Sequence, residues 1–410
     1  MIYNPPFYKR LFHSTRRFLA KHWLSLMPAT QIAITGSQGK TITTRVISNV
    51  LSSIGPTVVT DVNLDTIYNV PITAVHVTPW TKFAVFELGI DQPNEMDFHL
   101  EIVKPTIGVI TGISPVHTDK EHLGSLENLV KEKRKLIEAL PQNGYAILNY
   151  DDVNVRNMAA YTKAKILWYG TDPKQCDVWA DPASVKVSLK GTEFKLTSRA
   201  KSRDKNDIAL GISTKLIGRH HIYTIMAAFL VYKTVSDSTD FNRFQQILTD
   251  LTPLLGRMGV ERGPLDTIIL NDSLRANPTS TAAGLKTLSQ IYHQGKKIAV
   301  LAEMGELENP EEEHKKIGKL LSPLAIDVII GIGPQQQLVI NELNKYKTKK
   351  IAFYAKDVYD AAEILKKIIK NGDLIYLKGS LFRHVERVLH ILEGKKPPPD
   401  LILETNEIKY

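Results

Sequence analysis

The chain has 410 residues, a length typical of two or three domains. Hydrophobic residues make up 43% and charged residues 23%, which excludes disorder of the whole chain. The single cysteine, Cys176, excludes an intrachain disulfide framework and a cysteine-based zinc site, and it fits a reducing, cytoplasmic setting. A net charge of +9 suits nucleic acid, a membrane surface or an anionic small substrate. No apolar run approaches the roughly 18 residues of a spanning helix, and we expect no secretory signal.

Residues 1–29 form a first segment that contains five Lys or Arg and no Asp or Glu. Large apolar residues recur there at helical spacing, namely Tyr8, Leu11, Phe12, Phe18, Leu19, Trp23 and Leu26. The pattern predicts one amphipathic helix with a basic opposite face. This helix either docks on the protein's own core or contacts a membrane surface through residues 5–28. The second alternative, a peripheral protein, rests on the basic residues beside Trp and Phe, which are typical of interfacial helices.

Downstream of this segment, apolar runs of strand length alternate with helical patterns. The first series predicts strands at 31–35, 82–88, 106–111 and 143–149, with helices at 42–54 and 126–140. Such alternation predicts an α/β domain with a mostly parallel sheet, which we place at residues 30–255. Within it, alternating polarity on both sides of Lys190-Gly191 predicts a small antiparallel β insertion at about 171–217. A second series predicts strands at 266–270, 297–301, 328–332, 351–354 and 374–377, and hence a second α/β domain at 256–410.

The first predicted strand runs into the segment TGSQGKT, residues 35–41, and a predicted helix follows. A strand, a glycine loop and a helix are the context that identifies a phosphate-binding loop. Its backbone N–H groups and the helix N-terminus would face phosphate oxygens. Lys40 would reach the β- and γ-phosphates, and the Thr41 hydroxyl would bind Mg²⁺. The remaining loop residues that we expect to contact the nucleotide are Gly36, Ser37, Gln38 and Gly39.

Two further side chains are candidates for the metal. Glu87 ends an apolar strand, and a carboxylate at the carboxyl end of a strand beside the loop is where such ligands lie in open sheets. His117 follows the next strand, with Asp119 two residues later. Taken alone, Glu87 could equally be a surface residue and His117 a loop residue.

In chain order, these segments resemble the Mur ligase family, and most of all its MurF branch, over about residues 31–395. The loop is similar to the short family loop TGxxGKT, and Glu87-Leu88-Gly89 to the magnesium-binding ELG. Asn63-Leu64 with Val70-Pro71 resembles the family's NLN and GVP. His117 is similar to the metal-binding histidine of the family. Lys133 resembles the family lysine that is often carbamylated, although the spacing leaves Lys131 and Lys135 open as alternatives.

The second half of the chain carries four more segments of the same resemblance. Residues 271–278 (NDSLRANP) resemble the MurF pattern DDSYNANP, and residues 302–307 (AEMGEL) resemble GDMxELG, with His314 downstream. Asp373 and Lys378-Gly379-Ser380 resemble the closing GD and VKGS. Arg257 is similar to the interdomain arginine that reaches the ATP phosphates. The resemblance implies a Rossmann-like second domain, nucleotide contacts from Asp272 and Asn277, and substrate contacts from Arg275, Glu303, Glu306, Lys378 and Ser380.

The resemblance implies an ATP-dependent carbon–nitrogen ligase that joins an acid to an amino acid or peptide. A MurF-like enzyme adds D-Ala-D-Ala to a muramyl peptide precursor in peptidoglycan synthesis, by way of an acyl phosphate. The catalytic residues implied are Lys40, His117, Lys133 and Arg257, and one or two Mg²⁺ would bind Thr41, Glu87, His117 and Lys133. Expected partners are ATP and small peptide or amino-acid substrates. We expect no nucleic acid, because no stacking-aromatic or groove-reading motif is found.

Three departures from the family pattern leave alternatives open. His221 and Thr224 replace the asparagines of GxHNxxN, which leaves the adenine contacts undefined, and we expect no metal at the pair His220 and His221. Arg275 replaces an asparagine, either as an extra cation beside phosphates or as a surface residue. Only 30 residues precede the loop strand, so we expect the usual UDP-binding domain to be missing. The alternative functions are a Mur-type ligase or amidoligase subunit acting on another acceptor, such as a lipid-linked or poly-glutamate-like one, and a weakened, nucleotide-binding partner subunit.

Overall fold

The structure, a computed structural model, describes residues 7–61, 66–200, 206–236, 241–254, 256–380 and 383–396. The chain divides into two compact units, each composed of several segments. Unit 1 comprises Met1–Val185, Phe194–Ser213 and Ile222–Asp250. Unit 2 comprises Lys186–Glu193, Thr214–His221 and Leu251–Tyr410. The predicted domains, which follow the chain without interruption, remain a prediction.

Strands and helices alternate through unit 1 from Thr30 onwards, as the sequence pattern predicts. The helices are α1 (Phe7–Ser25), α2 (Lys40–Ser52), α3 (Thr66–His76), α4 (Glu95–Leu100), α5 (Leu126–Glu138), α6 (Val153–Met158), α7 (His221–Val235) and α8 (Phe241–Asp250). The strands up to residue 214 are β1 (Thr30–Thr35), β2 (Thr57–Val59), β3 (Phe83–Glu87), β4 (Ile107–Ile110), β5 (Tyr145–Asn149), β6 (Lys165–Gly170), β7 (Val178–Ala180), β8 (Lys186–Ser188), β9 (Gly191–Ser198) and β10 (Ile208–Thr214). Strands β8 and β9 form the predicted antiparallel hairpin around Lys190-Gly191.

The first sheet has the strand order β10-β9-β7-β6-β5-β4-β1-β3-β2, with β8 paired to β9. Every pair from β2 to β7 is parallel, which confirms the predicted parallel sheet. In register, Ile34 lies opposite Glu87 and Thr35 opposite Ile110. Because the carboxyl ends of parallel strands meet at one edge, the phosphate loop, Glu87 and the loop after β4 share that edge.

Helix α1 is present as predicted, but its large apolar residues face solvent. Ala20 and Leu24 are buried in the core of unit 1, whereas the large apolar residues Leu11, Phe12, Phe18, Leu19 and Leu26 are 57–75% exposed. The Arg17 guanidinium lies against the protein, stacked on Phe98 and donating to the Phe98 carbonyl at 2.6 Å. The helix therefore docks on the protein's own core, which is one of the two predicted alternatives, but Ala20, Leu24 and Arg17 form the contact instead of the large apolar residues. No helix in the described part of the chain is long and apolar enough to cross a bilayer.

Unit 2 contains a second sheet with helices on both faces. Its strands are β11 (Gly259–Arg262), β12 (Ile268–Asp272), β13 (Lys297–Ala302), β14 (Val328–Ile332), β15 (Ile351–Ala355) and β16 (Leu374–Lys378). Its helices are α9 (Pro278–Gln290), α10 (Pro310–Leu321), α11 (Pro334–Leu343), α12 (Val358–Ile368) and α13 (Arg387–Leu392). Strand order is β11-β12-β16-β13-β14-β15, and only the β11–β12 pair is antiparallel.

Alternate residues of the strands of unit 2 enter two different cores. Leu270, Ala299 and Leu301 join one hydrophobic cluster, and their neighbours Ile298 and Val300 join the other. A sheet covered on both faces is the three-layer arrangement that the Rossmann-like prediction describes. Strand β12 begins two residues later than predicted, because Leu265 and Asp266 adopt positive φ in a turn of 3-10 helix. The shift places Asp272 at the end of the strand.

Candidate nucleotide and ligase site

The phosphate loop between β1 and α2 is held by the segment that follows β4. Gly36 has a φ of 149°, and a Cβ there would lie 2.0 Å from the Thr111 hydroxyl oxygen. The Ser37 N–H donates to the Gly112 carbonyl at 2.7 Å, and the Thr111 hydroxyl donates to the Gln38 carbonyl at 2.6 Å. The close approach explains why this position of the loop requires glycine.

The two charged or polar side chains at the end of the loop have short contacts. Lys40 Nζ donates to the Gly36 carbonyl at 2.9 Å, and the Thr41 hydroxyl donates to Glu87 Oε1 at 3.0 Å. The Glu87 N–H donates to the Thr60 hydroxyl at 2.9 Å, which fixes the end of β3. A hydroxyl and a carboxylate oxygen so close together are hard donors of the kind that Mg²⁺ prefers. The residues therefore fit a magnesium ion.

His117 lies in the same edge of unit 1, buried and with a φ of 55°. Its Nε2 is 3.2 Å from Asp91 Oδ1. The Oδ1 atom of Asp119, two residues after His117, instead lies 2.7 Å from His122 Nδ1. Asp91 was missed by sequence reasoning, although its place two residues after Gly89 is a signal that could have found it.

Among the three candidate lysines of α5, only Lys133 is buried. Helix α5 begins at a Ser125 cap that accepts from the Asn128 N–H at 3.1 Å. Lys131 is exposed and pairs with an acidic residue one turn away, and Lys135 pairs with Asp97 at 2.6 Å. Lys133 is 1% exposed.

The electrostatic surroundings of Lys133 connect it to the loop. Burial holds the pKa of Lys133 well below its usual value, and the charge of Lys40 lowers the pKa further. The carboxylates of Asp91, Glu95 and Glu132 act in the opposite direction. Lys133 thus interacts electrostatically with both Lys40 of the phosphate loop and Asp91.

His99, on α4, holds the loop that follows β3. Its Nε2 is 3.1 Å from the Gly89 carbonyl and 3.3 Å from the Thr66 hydroxyl, which itself accepts from the Gly89 N–H at 3.1 Å. Burial lowers the pKa of His99 to about 4, so the ring is neutral at pH 7 and donates from Nε2 to the Gly89 carbonyl. His99 therefore fixes the backbone between Glu87 and Asp91. No sequence motif points to it.

Two of the charged residues predicted for unit 2, Asp272 and Lys378, form a buried pair at the ends of β12 and β16. Asp272 lies opposite Lys378 in the parallel register. Asp272 Oδ2 accepts from Lys378 Nζ at 2.7 Å and from the Tyr376 hydroxyl at 2.9 Å. Burial lowers the pKa of Lys378 in spite of Asp272, and the charge of Arg257 lowers it further.

His220 interacts electrostatically with the same pair, which the sequence had not indicated. Burial lowers its pKa to about 4; the charge of Asp272 opposes this shift and that of Lys378 adds to it. The ring of His221 lies 4.1 Å from that of His220, and burial lowers the pKa of His221 well below its usual value. Thr224, at the other departure from the family pattern, lies 3.3 Å from the Thr43 hydroxyl within unit 1.

Asn277 and Glu303 have structural partners in unit 2. Asn277 caps α9, accepting from the Ser280 N–H at 2.8 Å and donating its own N–H to the Ser280 hydroxyl. Glu303 is buried, accepts from the Gln335 N–H at 2.8 Å and pairs with Arg383. The polar groups of both side chains therefore have partners within the protein.

The loop after β13 is held by His314. Its Nδ1 donates to the Pro310 carbonyl at 2.6 Å, and its Nε2 accepts from the Met304 N–H at 3.2 Å. Burial lowers the pKa of His314, as this neutral arrangement requires. The loop presents Glu306 to solvent, while Arg275 is exposed and Ser380 half-buried elsewhere in unit 2. The predicted Asn63-Leu64 segment lies outside the described residues.

Comparison with family models matches the Mur ligase middle domain at residues 34–232 and the Mur ligase, glutamate ligase domain at residues 256–381. The chain belongs to the Mur ligase family. The two matched regions contain the phosphate loop, Glu87, His117 and Lys133 in the first and Asp272 with Lys378 in the second. The fold and the family predicted from the sequence are confirmed.

Curated relatives of this Mur ligase family chain include UDP-N-acetylmuramoyl-tripeptide–D-alanyl-D-alanine ligases of three bacteria. The Escherichia coli protein is 28% identical over 76% of this chain and 66% of its own length. The Mycobacterium leprae protein is 28% identical over 86% of this chain and 71% of its own. The Mycobacterium tuberculosis protein is 30% identical over 74% of this chain and 58% of its own. The chain thus spans roughly two thirds of the length of these relatives.

Solved structures of MurF share the fold. MurF from Acinetobacter baumannii matches with a TM-score of 0.80 and 23% identity, over 93% of this chain and 81% of that one. MurF ligase from Thermotoga maritima, solved in complex with ADP, matches with a TM-score of 0.78 and 23% identity, over 93% and 84%.

Proposed function

We propose that this Mur ligase family chain is an ATP-dependent ligase that forms an amide bond between a carboxylate and an amine, in the manner of its MurF relatives. The observation that carries the proposal is the meeting of Thr41 and Glu87 at the phosphate loop, with His117, Asp91 and the buried Lys133 at the same edge. Such a set suits a phosphoryl-transfer enzyme, in which charge neutralisation and positioning dominate catalysis.

The proposed reaction has two steps. In the first, the γ-phosphoryl group moves from ATP to the substrate carboxylate, giving ADP and an acyl phosphate. In the second, the amine attacks the acyl carbon, the carbon–oxygen bond to phosphate breaks, and the amine loses one proton. Direct condensation in water is uphill, so ATP supplies the driving force.

Residues of unit 1 would serve the first step. Lys40 and the loop N–H groups would orient the phosphates, and Thr41 with Glu87 would hold magnesium, which neutralises phosphate charge when bound. His99 would keep Glu87 and Asp91 in place through Gly89. One Mg²⁺ fits these ligands, and a second would need a further anionic ligand near His117.

Lys133 is our candidate for that further ligand. Burial holds the pKa of Lys133 well below its usual value, which favours the neutral amine, and the neutral amine is the form that adds carbon dioxide with the loss of one proton. The carbamate would turn a buried cation into a carboxylate-like anion beside Asp91 and Lys40. We retain Arg257, Asp272, Asn277, Arg275, Glu303, Glu306, Lys378 and Ser380 as proposed nucleotide or substrate residues of unit 2.

The proposed substrates are D-Ala-D-Ala and a muramyl tripeptide linked to UDP, in the cytoplasm where ATP is held. A second acceptor, a lipid-linked form of the same precursor, is favoured by the exposed apolar side of α1. Both acceptors present the same carboxylate, so the proposed chemistry does not change.

Phosphate release from ATP tests the proposal directly. We expect release to require D-Ala-D-Ala together with UDP-MurNAc-tripeptide, and to stop when either is omitted. Replacing the UDP-linked acceptor with its lipid-linked form in detergent separates the two acceptors. Release that ignores both substrates, or no release with any acceptor, would contradict the ligase assignment.

A further inference from the structure

The side of α1 that faces solvent is apolar, which is the reverse of an ordinary surface helix. We define the outward face as Tyr8, Leu11, Phe12, Phe18, Leu19, Trp23 and Leu26, which are 41–75% exposed. A surface helix normally buries such residues and exposes its charges. In α1 the inward contacts come from Ala20, Leu24 and Arg17.

The helix is fixed in this orientation by polar contacts at two points. Near its middle, the Arg17 guanidinium lies over the Phe98 ring, donates to the Phe98 carbonyl and pairs with Glu101 at 3.3 Å. Near its end, the Trp23 indole N–H donates to the Val77 carbonyl at 2.7 Å. Turning the apolar residues inward would break these contacts, so the outward face is built into the fold.

A further exposed aromatic residue lies close in sequence to the segment that the end of α1 contacts. Trp80 is 80% exposed in the turn from Thr78 to Thr81, three residues after the carbonyl that Trp23 contacts. The face therefore combines Trp, Tyr and Phe with leucine. Tryptophan and tyrosine are the residues that concentrate at the boundary between lipid headgroups and acyl chains.

The positive charge of the sequence around α1 indicates what kind of partner its outward face binds. The first 60 residues contain seven Lys or Arg and no Asp or Glu, and the first 82 residues contain only two acidic residues, Asp61 and Asp65. Lys21 and His22 are exposed beside the outward face. A second copy of the chain would bring the same positive charge to a symmetric interface, which opposes self-association. An anionic lipid surface is complementary.

We propose that the outward face of α1, with Trp80, docks on the surface of a membrane that contains anionic phospholipid. The helix would lie in the plane of the interface, with its leucine and aromatic side chains among the acyl chains and the exposed Lys21 at the headgroups. This docking does not depend on the ligase activity, so either proposal can fail without the other.

Sedimentation of the full chain with lipid vesicles tests the docking. We expect binding to vesicles of phosphatidylcholine with phosphatidylglycerol, weaker binding to phosphatidylcholine alone, and a loss of binding as salt is raised. The double variant Phe12→Gln/Leu19→Gln should bind at least about tenfold more weakly, because two large side chains no longer enter the lipid. Its melting temperature should match the wild type, since both positions are exposed.

A matched control removes exposed apolar residues elsewhere. Tyr292 and Tyr359 are 85% and 54% exposed in unit 2, and Tyr292→Gln/Tyr359→Gln should bind vesicles as the wild type does. Tryptophan emission should shift to the blue on binding, with a smaller shift in Trp80→Phe. Equal vesicle binding by wild type and Phe12→Gln/Leu19→Gln would overturn the proposal. So would a wild-type dimer that binds no vesicles and is lost in that variant, because the face would then be a protein interface.

Discussion

The two sheets both carry charged side chains at the carboxyl ends of their strands, but they hold them in different ways. In unit 1, Lys40 donates to a backbone carbonyl and Glu87 accepts from a hydroxyl, and both are half-buried. In unit 2, Asp272 and Lys378 are buried and neutralise each other. The first edge can therefore exchange its contacts for a ligand at little cost, whereas the second edge is part of the core.

The largest expected effect is on the activity of the first edge. Lys40→Ala should lower the rate of phosphate release by roughly a thousandfold, because the loop loses the cation that would meet the γ-phosphate. The melting temperature should change little. The exposed Lys131 offers the matched variant Lys131→Ala, which should keep full activity. A large fall in melting temperature for Lys40→Ala would contradict the claim that the first edge contributes little to the stability of the fold.

Substitutions at the second edge should lower the stability of the fold. Lys378→Met leaves the Asp272 carboxylate buried without its cation, so we expect the free energy of unfolding to fall by about 3–5 kcal/mol. Urea denaturation measures this, with the exposed Lys286→Met as control. Adding Asp272→Asn to Lys378→Met should restore part of the loss. If Lys378→Met unfolds like the wild type, the pair does not support the core.

A smaller effect is expected from the histidine of the second edge. The pKa of His220 is about 4 in the folded chain against an ordinary value of 6.5. Above pH 6.5 the ring is neutral in both states; as the pH falls from 6.5 to 4, only the unfolded chain gains the proton, and stability decreases. Urea midpoints at pH 7 and pH 5 should differ less in His220→Gln than in the wild type. An unchanged difference would contradict this origin of the pH dependence.

The smallest expected effect concerns Asn277, which was predicted to contact nucleotide. Asn277 caps the amino terminus of α9, so Asn277→Ala should lower the free energy of unfolding by about 1 kcal/mol. Asn277→Asp keeps a capping acceptor and should recover that stability. If the KM for ATP rises several-fold in both variants, Asn277 contacts the nucleotide as well as capping the helix.

The features that sequence reasoning predicted correctly are those that depend on neighbouring residues. The phosphate loop needs glycine where the backbone approaches Thr111, and alternating strands with helices dictate a parallel sheet. From the family pattern we also predicted Glu87, His117 and Lys133 as site residues, and those roles stay predictions. The structure then distinguishes Lys133 from Lys131 and Lys135 by burial, which is a tertiary property.

Features that depend on distant contacts were missed. Asp91 meets His117 across two loops, His99 supports Gly89 from another helix, and His220 joins Asp272 across a long stretch of chain. For α1, periodicity gave the helix but not its orientation. An apolar stripe is normally assumed to face the core, and only the contacts of Arg17 and Trp23 reverse that assumption.

The contact of Arg17 with α4 has a practical consequence for handling this protein. Phe98 and Glu101, which Arg17 touches, flank His99, and His99 holds the Gly89 backbone beside Glu87. Two side chains, Arg17 and His99, thus connect the amino-terminal helix to the backbone beside Glu87, the proposed magnesium ligand. Deleting residues 1–28 to improve solubility would remove Arg17 and loosen that connection. Substitutions that improve solubility are therefore better placed at Phe12 or Leu19.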